Sequence, residues 1–165
     1  MGHATYLIAL GSNRPGRHGR PANTLRAAAG VLPGRVTAMS PMIDSAPIGP
    51  SIRRYANAVL LLESDLLPDA LLTTLKRIER DFGRRAGRRW GTRVIDLDII
   101  LWSGGRFANR RLTVPHMAFR TRDFVLGPAA RIAPRWRDPV TGLRLAQLRA
   151  RLGRHRPVDP GLLRP

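Results

Sequence analysis

The chain contains no cysteine. That excludes a disulfide scaffold, a thiol nucleophile and a thiolate-ligated zinc site. Of its 29 basic residues only Lys76 is a lysine, and acidic residues number 11. No Walker A pattern exists, because Lys76 follows Leu75 rather than glycine. A nucleotide, if one binds, is therefore not held by a P-loop. No apolar run is long enough to cross a bilayer, and the opening MGHATYLIALGSN lacks the basic and apolar segments of a secretory signal. A cytoplasmic protein without membrane association is expected. No internal repeat is visible.

At 165 residues the chain is long enough for one well-buried core. We expect a single domain over 1–152 and a loosely ordered Arg/Pro-rich tail over 153–165. The net charge of +18 favours anionic partners, either nucleic acid or a phosphorylated small molecule. A compositional preference for arginine would give the same number, so charge alone does not choose.

Apolar patterning divides the chain into alternating elements. Ala4 to Leu10 reads as a strand ending at Gly11-Ser12-Asn13, and Arg14 to Pro21 as a Gly/Pro-rich loop. Ala22 to Leu32 reads as a helix stopped by Pro33-Gly34. Arg35 to Ser45 reads as a strand with an edge or bulge at Pro41. Tyr55 to Ser64 is a further strand. Pro68 opens a helix whose Leu71, Leu75, Ile78 and Phe82 form a stripe of period 3.6, ended by Gly83. Val94 to Trp102 is a strand, and Asp123 to Ile132 a short helix. Asp138 to Leu152 holds a turn and a last helix. The order βαββαβ predicts an α+β, ferredoxin-like antiparallel sheet with helices packed on one face, followed by short C-terminal additions.

Asp96 and Asp98 interrupt the strand VIDLDIILW on one face, while Ile95, Leu97 and Ile99 occupy the other. Their Cα atoms should lie about 6.6 Å apart, two residues at about 3.3 Å each. Two carboxylates so close repel unless cations intervene. Magnesium suits them, since it takes oxygen ligands and prefers one or two carboxylates plus phosphates. The alternative is a solvated face with each aspartate paired to a nearby arginine. Arg84, Arg85, Arg88, Arg89 and Arg93 crowd the preceding segment and would suit a triphosphate. Asn57 within an apolar strand requires a hydrogen-bonding partner or a ligand.

LGSN, YANAV, IERDFGR, RWGTRVIDLDIILW and RLTVPH, in that order from Leu7 to Pro134, resemble the 6-hydroxymethyl-7,8-dihydropterin pyrophosphokinases of the folate pathway. The resemblance implies a ferredoxin-like fold and magnesium-dependent transfer of pyrophosphate from ATP to the pterin hydroxymethyl group, leaving AMP. It implies two Mg2+ ions held by Asp96 and Asp98, with Asp96 also facing the pterin. Arg84 and Arg93 match catalytic phosphate-binding arginines. Lys76, Glu79, Ile99, Arg111, Thr113, His116 and Arg122 match the ATP side. Ser45, Ala46, Ile48, Tyr55, Asn57 and Phe124 match the pterin side, with Tyr55 and Phe124 flanking the ring. The partners implied are small molecules, with no nucleic acid expected and a monomer anticipated. The loop GRRAGRRWG is one residue shorter than the family's usual GRxRxxxRWG, and Ala46 stands where proline is usual.

Two other classes share some of these features. A silent relative would keep the fold and bind nucleotide without transfer. A nucleic-acid-binding module on the same fold would interleave aromatic and basic residues on its strands. YLIAL and NAVLLLES offer little of that pattern.

Overall fold

The structure, a computed structural model, describes residues 2–47, 53–83 and 94–154. Its main sheet is built from β1 (Ala4–Ser12), β2 (Arg35–Met39), β3 (Ile43–Ser45), β4 (Tyr55–Ser64) and β5 (Asp96–Trp102). The strand order is β2-β4-β1-β5, with β3 also paired to β4, and every pairing is antiparallel. Two helices, α1 (Pro21–Ala29) and α2 (Pro68–Asp81), connect strands of this sheet. Each begins with proline in its first turn, where the missing N–H costs nothing and the fixed φ suits the helix. Beyond β5 come a small hairpin, β6 (Phe107–Ala108) and β7 (Thr113–Val114), a 3-10 turn (Phe119–Thr121), α3 (Asp123–Ile132) and α4 (Leu145–Arg154). Arranged in this way, the chain realises the expected α+β, ferredoxin-like order. Its last helix runs two residues past the expected domain boundary, and residues 155–165 of the expected tail lie outside the described part.

Strand alternation creates two cores. Tyr6, Ile8 and Leu10 of β1, Leu60 and Leu62 of β4, and Ile95, Leu97 and Ile99 meet α1 and α2 on one face. On α2 the predicted stripe is buried, with Leu71 and Leu75 fully covered and Ile78 and Phe82 6% exposed. Each such side chain contributes roughly 1.5–3 kcal/mol on burial. The opposite face gathers Leu7, Val59, Ile100 and Leu101 beneath α3 and α4. The C-terminal additions thus close the second face of the sheet. A bulge lies between the Leu7–Leu101 and Ile8–Ile99 pairs, so Ile100 and Leu101 both turn toward that second core. Gly83, at φ +103°, ends α2 in a conformation that other residues rarely adopt.

The continuous strand expected over Arg35 to Ser45 is instead two strands. Pro41 offers no N–H to the ladder. Just before it, buried Ser40 holds both backbone groups of Val59: its hydroxyl accepts the Val59 N–H at 3.0 Å, and its own N–H reaches the Val59 carbonyl at 2.8 Å. Between the pairs Met39–Leu60 and Ile43–Asn57, three residues face two, which re-aims β3. The first helix spans Pro21–Ala29 rather than Ala22 to Leu32, because the chain already turns at Gly30.

Asp138 ties the C-terminal layer to the 3-10 turn. It is fully buried and receives both Arg120 nitrogens at 2.7 Å, the Thr141 hydroxyl at 2.7 Å and the Val140 N–H at 3.0 Å. Burial alone would raise its pKa. The hydrogen bonds from Arg120, Thr141 and Val140 and the charge of Arg120 outweigh burial and hold it at about 2. Because the folded value lies below the unfolded one, the stabilisation is complete above pH 3.8 and is lost as pH falls toward 2. Asp138→Asn should remove about 2 kcal/mol at pH 7. It should also flatten the acid limb of the stability curve in urea titrations between pH 4 and 2. An unchanged acid limb would reject this assignment.

Candidate active site

Strand register brings together Ser45, Tyr55, Asn57 and Asp96 of the pterin-matching residues. Gly11 of β1 lies directly between Asn57 of β4 and Asp96 of β5. Paired residues of neighbouring antiparallel strands share a face, so Asn57, Gly11 and Asp96 form one row. Two strand spacings of about 4.8 Å separate its ends. One step along, Ala9 lies between Val59 and Asp98. The two aspartates therefore share the face predicted for them, at the N-terminal end of β5, and both are half-buried.

Asn57 is 5% exposed and donates from Nδ2 to Ser45 Oγ at 2.7 Å. Ser45 pairs with Tyr55 across β3 and β4. Tyr55 is half-buried on the same face as Asn57, two residues away. Phe124 opens α3, which packs over β4 and β3, with the Arg122 guanidinium 5.9 Å from its ring centroid. Ala46 is exposed just beyond β3. Ile48, Arg84, Arg85 and Arg93, together with the shortened arginine loop, lie outside the described residues.

Gly11 was not singled out by sequence reasoning as a site residue. A Cβ there would stand 3.4 Å from Asn57 Oδ1 and 3.7 Å from a Tyr55 ring carbon. Its missing side chain leaves open floor between the amide and the carboxylate. The sequence signals are a glycine closing a strand and its place within LGSN.

Of the ATP-matching residues, Glu79 and His116 bond the outer edge of β5 directly. Glu79 is fully buried on α2, and its Oε1 receives both Lys76 Nζ and the Leu97 N–H at 2.9 Å. Ile99 packs into the first core, which leaves its backbone as the part able to meet a ligand. Arg111 and Thr113 belong to the β6–β7 hairpin. Arg111 reaches Thr73 Oγ1 at 3.2 Å and Asp69 at 3.5 Å, and Asn109 reaches Asp69 at 3.1 Å. Asp69, Thr73 and Asn109 thus dock the hairpin against α2. These contacts join residues about forty positions apart, and no local pattern announces them.

His116 follows the hairpin. Its backbone N–H bonds the Ile100 carbonyl at 3.0 Å, and its Nδ1 accepts the Ala118 N–H at 3.2 Å. The neutral ring then carries its proton on Nε2. Burial lowers its pKa, the nearby Asp98 charge raises it and Arg122 lowers it, with a net decrease. His116 is therefore neutral at pH 7 in the free protein. Asp98→Asn removes the raising influence, so the His116 pKa followed by NMR should fall further. A rise would show that the two groups do not face each other.

Magnesium is a group these donors would suit. Asp96 and Asp98 could offer oxygen ligands from one strand face. Among the described residues no cluster of three or more His, Cys, Asp or Glu completes a protein-only site. Two carboxylates with the remaining positions left to phosphate and water match the coordination magnesium favours.

Residues 7–134 match the family described as 7,8-dihydro-6-hydroxymethylpterin-pyrophosphokinase (HPPK). The chain belongs to this family. HPPK members are enzymes of the diphosphotransferase class that serve folate synthesis. A Haemophilus influenzae 2-amino-4-hydroxy-6-hydroxymethyldihydropteridine pyrophosphokinase is 39% identical over 78% of this chain and 81% of its own length. A Pseudomonas aeruginosa protein of the same name is 39% identical over 80% of this chain and 82% of its own. A Synechocystis relative, again with that name, is 41% identical over 72% of this chain and 62% of its own length. Among solved structures, wild-type Plasmodium falciparum HPPK-DHPS superposes with a TM-score of 0.71 over 90% of this chain and 44% of that one, at 11% identity. That likeness carries the fold. The chain spans less than half the length of that HPPK-DHPS protein. No helix among the described residues is long and apolar enough to cross a membrane.

Proposed function

We propose that the chain transfers the pyrophosphoryl group of ATP to the hydroxymethyl oxygen of 6-hydroxymethyl-7,8-dihydropterin, in a magnesium-dependent reaction. The observation that carries this reading is the row Asn57–Gly11–Asp96, with Asp98 one step along the same face. It sets a hydrogen-bonding slot for a flat heterocycle directly beside a carboxylate pair. Family membership supports the same substrate class.

In this reading the ring lies over Gly11, between Tyr55 and Phe124, with its polar edge against Asn57. Ser45 fixes the Asn57 amide through the 2.7 Å hydrogen bond, so the amide is already oriented when the substrate arrives. Asp96 and Asp98 would hold the two Mg2+ ions, which, when bound, supply charge neutralisation to the phosphates. Lys76, Arg111, Arg122 and the neutral His116 contribute cationic and N–H donors along the β5 edge. Arg84 and Arg93 would add further positive charge. The hydroxymethyl oxygen forms a bond to the β-phosphorus, the bond from that phosphorus to the α-phosphate bridging oxygen breaks, and AMP leaves with that oxygen. The hydroxyl proton passes to solvent. Catalysis then rests on positioning and charge rather than on a dedicated side-chain base. The chain acts as a monomer in the cytoplasm, with small molecules rather than nucleic acid as partners.

The test is AMP release by the purified chain given ATP, Mg2+ and the pterin. AMP should form only with pterin present and should vanish with EDTA. AMP formation independent of pterin would contradict the reading. Binding of both substrates without AMP would identify a silent relative.

A further inference from the structure

Glu79 is a charged side chain with no exposure, on the face of α2 that otherwise buries Leu71, Leu75 and Ile78. A carboxylate in such a position is costly unless its oxygens are fully used. The structure gives it a specific use. Among the described residues, strand β5 ends the strand order and pairs with β1, and no other strand pairs with its far edge. Further along that edge, the His116 N–H closes on the Ile100 carbonyl. At the other end, the Leu97 N–H donates to Glu79 Oε1 at 2.9 Å. Leu97 is the residue between Asp96 and Asp98. The same oxygen receives Lys76 Nζ at 2.9 Å, and the Lys76 side chain is 35% exposed.

We infer that Glu79 is a positioning residue: its buried carboxylate fixes the Asp96–Asp98 segment by holding the amide between the two aspartates. An ionised acceptor makes a shorter and stronger bond to an N–H than a neutral one. Glu79 supplies it from a helix already locked by four buried apolar residues. Lys76 neutralises the carboxylate from the solvent side, which permits its burial. The face presented by the two aspartates is thereby set by α2 rather than by sheet pairing alone. Through this tie, the helix that carries Lys76 also sets the carboxylates. The catalytic consequence rests on the pyrophosphokinase reading; the positioning itself does not.

Two variants separate the geometry from general stability. Glu79→Gln keeps an acceptor oxygen, whereas Glu79→Leu removes it at similar size. Amide exchange by NMR reads the tie directly. In Glu79→Leu, exchange of the Leu97 amide should accelerate at least about 100-fold, while the Ile8 and Leu60 amides in the sheet centre keep their protection. In Glu79→Gln, Leu97 exchange should stay within about threefold of wild type. In parallel, kcat for pterin-dependent AMP release should fall at least about 30-fold in Glu79→Leu and less than about fivefold in Glu79→Gln, with pterin affinity unchanged in both. Unchanged Leu97 exchange in Glu79→Leu would overturn the inference. Equal damage in the two variants, or a uniform loss of protection across the sheet, would also overturn it. A wild-type chain that makes no AMP would defeat the functional reading, while Leu97 exchange would still decide the role of Glu79.

Discussion

Asp98→Ala should lower pterin-dependent AMP release by more than about 10³-fold, with the fold and its thermal transition retained. Asp98 is half-buried on an outer strand, opposite the small side chain of Ala9, so truncation opens no large core cavity. In the proposed reaction its loss would instead remove one of two oxygen donors from a site that balances about four negative charges on ATP. Activity measured across a Mg2+ titration distinguishes a weakened metal site from a misfolded protein. Recovery at high Mg2+ would indicate weakened affinity alone. Activity near that of the wild type at ordinary Mg2+ would reject the metal assignment.

Gly11→Val should weaken pterin binding at least about 100-fold and leave nucleotide binding within about twofold. The strand tolerates valine well, and β1 is anchored on both sides by β4 and β5. The added carbon atoms would occupy the floor between Asn57 and Asp96. The first of them already lies within 3.4 Å of Asn57 Oδ1 and 3.7 Å of the Tyr55 ring. Calorimetry with the pterin and with an ATP analogue, titrated separately, checks both halves. Equal losses for the two ligands would signal general damage. Undiminished pterin affinity would place the ring elsewhere.

Much of the site was legible because strands obey a period of two. Asp96 and Asp98 had to share a face opposite Ile95, Leu97 and Ile99, and they do. The α2 stripe was equally readable from its 3.6 spacing. Pairing register was not. The sequence contains no signal that Gly11 faces both Asn57 and Asp96, because register emerges from the whole sheet. The bulge at Ile100 and Leu101 was hidden for a simpler reason: both residues are apolar, so a reversed alternation looks like a continuous run. Pro41 announced a disturbance, but the hydroxyl of Ser40 that holds the Val59 N–H depends on a contact nineteen residues away. The pairing of Lys76 with Glu79 follows from helical spacing. The second use of Glu79, at Leu97, depends on how α2 lies against β5. The site roles themselves come from the resemblance to a family; the register places Asn57, Gly11, Asp96 and Asp98 on one face.

In the proposed reaction a pyrophosphoryl unit moves intact from ATP to the pterin. The most direct test uses ATP labelled at the β-phosphorus. The label should appear in the pterin product in step with AMP release, and none should appear in ADP or orthophosphate. Label in ADP would mean that the bond between the β- and γ-phosphates is the one cleaved, and would contradict the account.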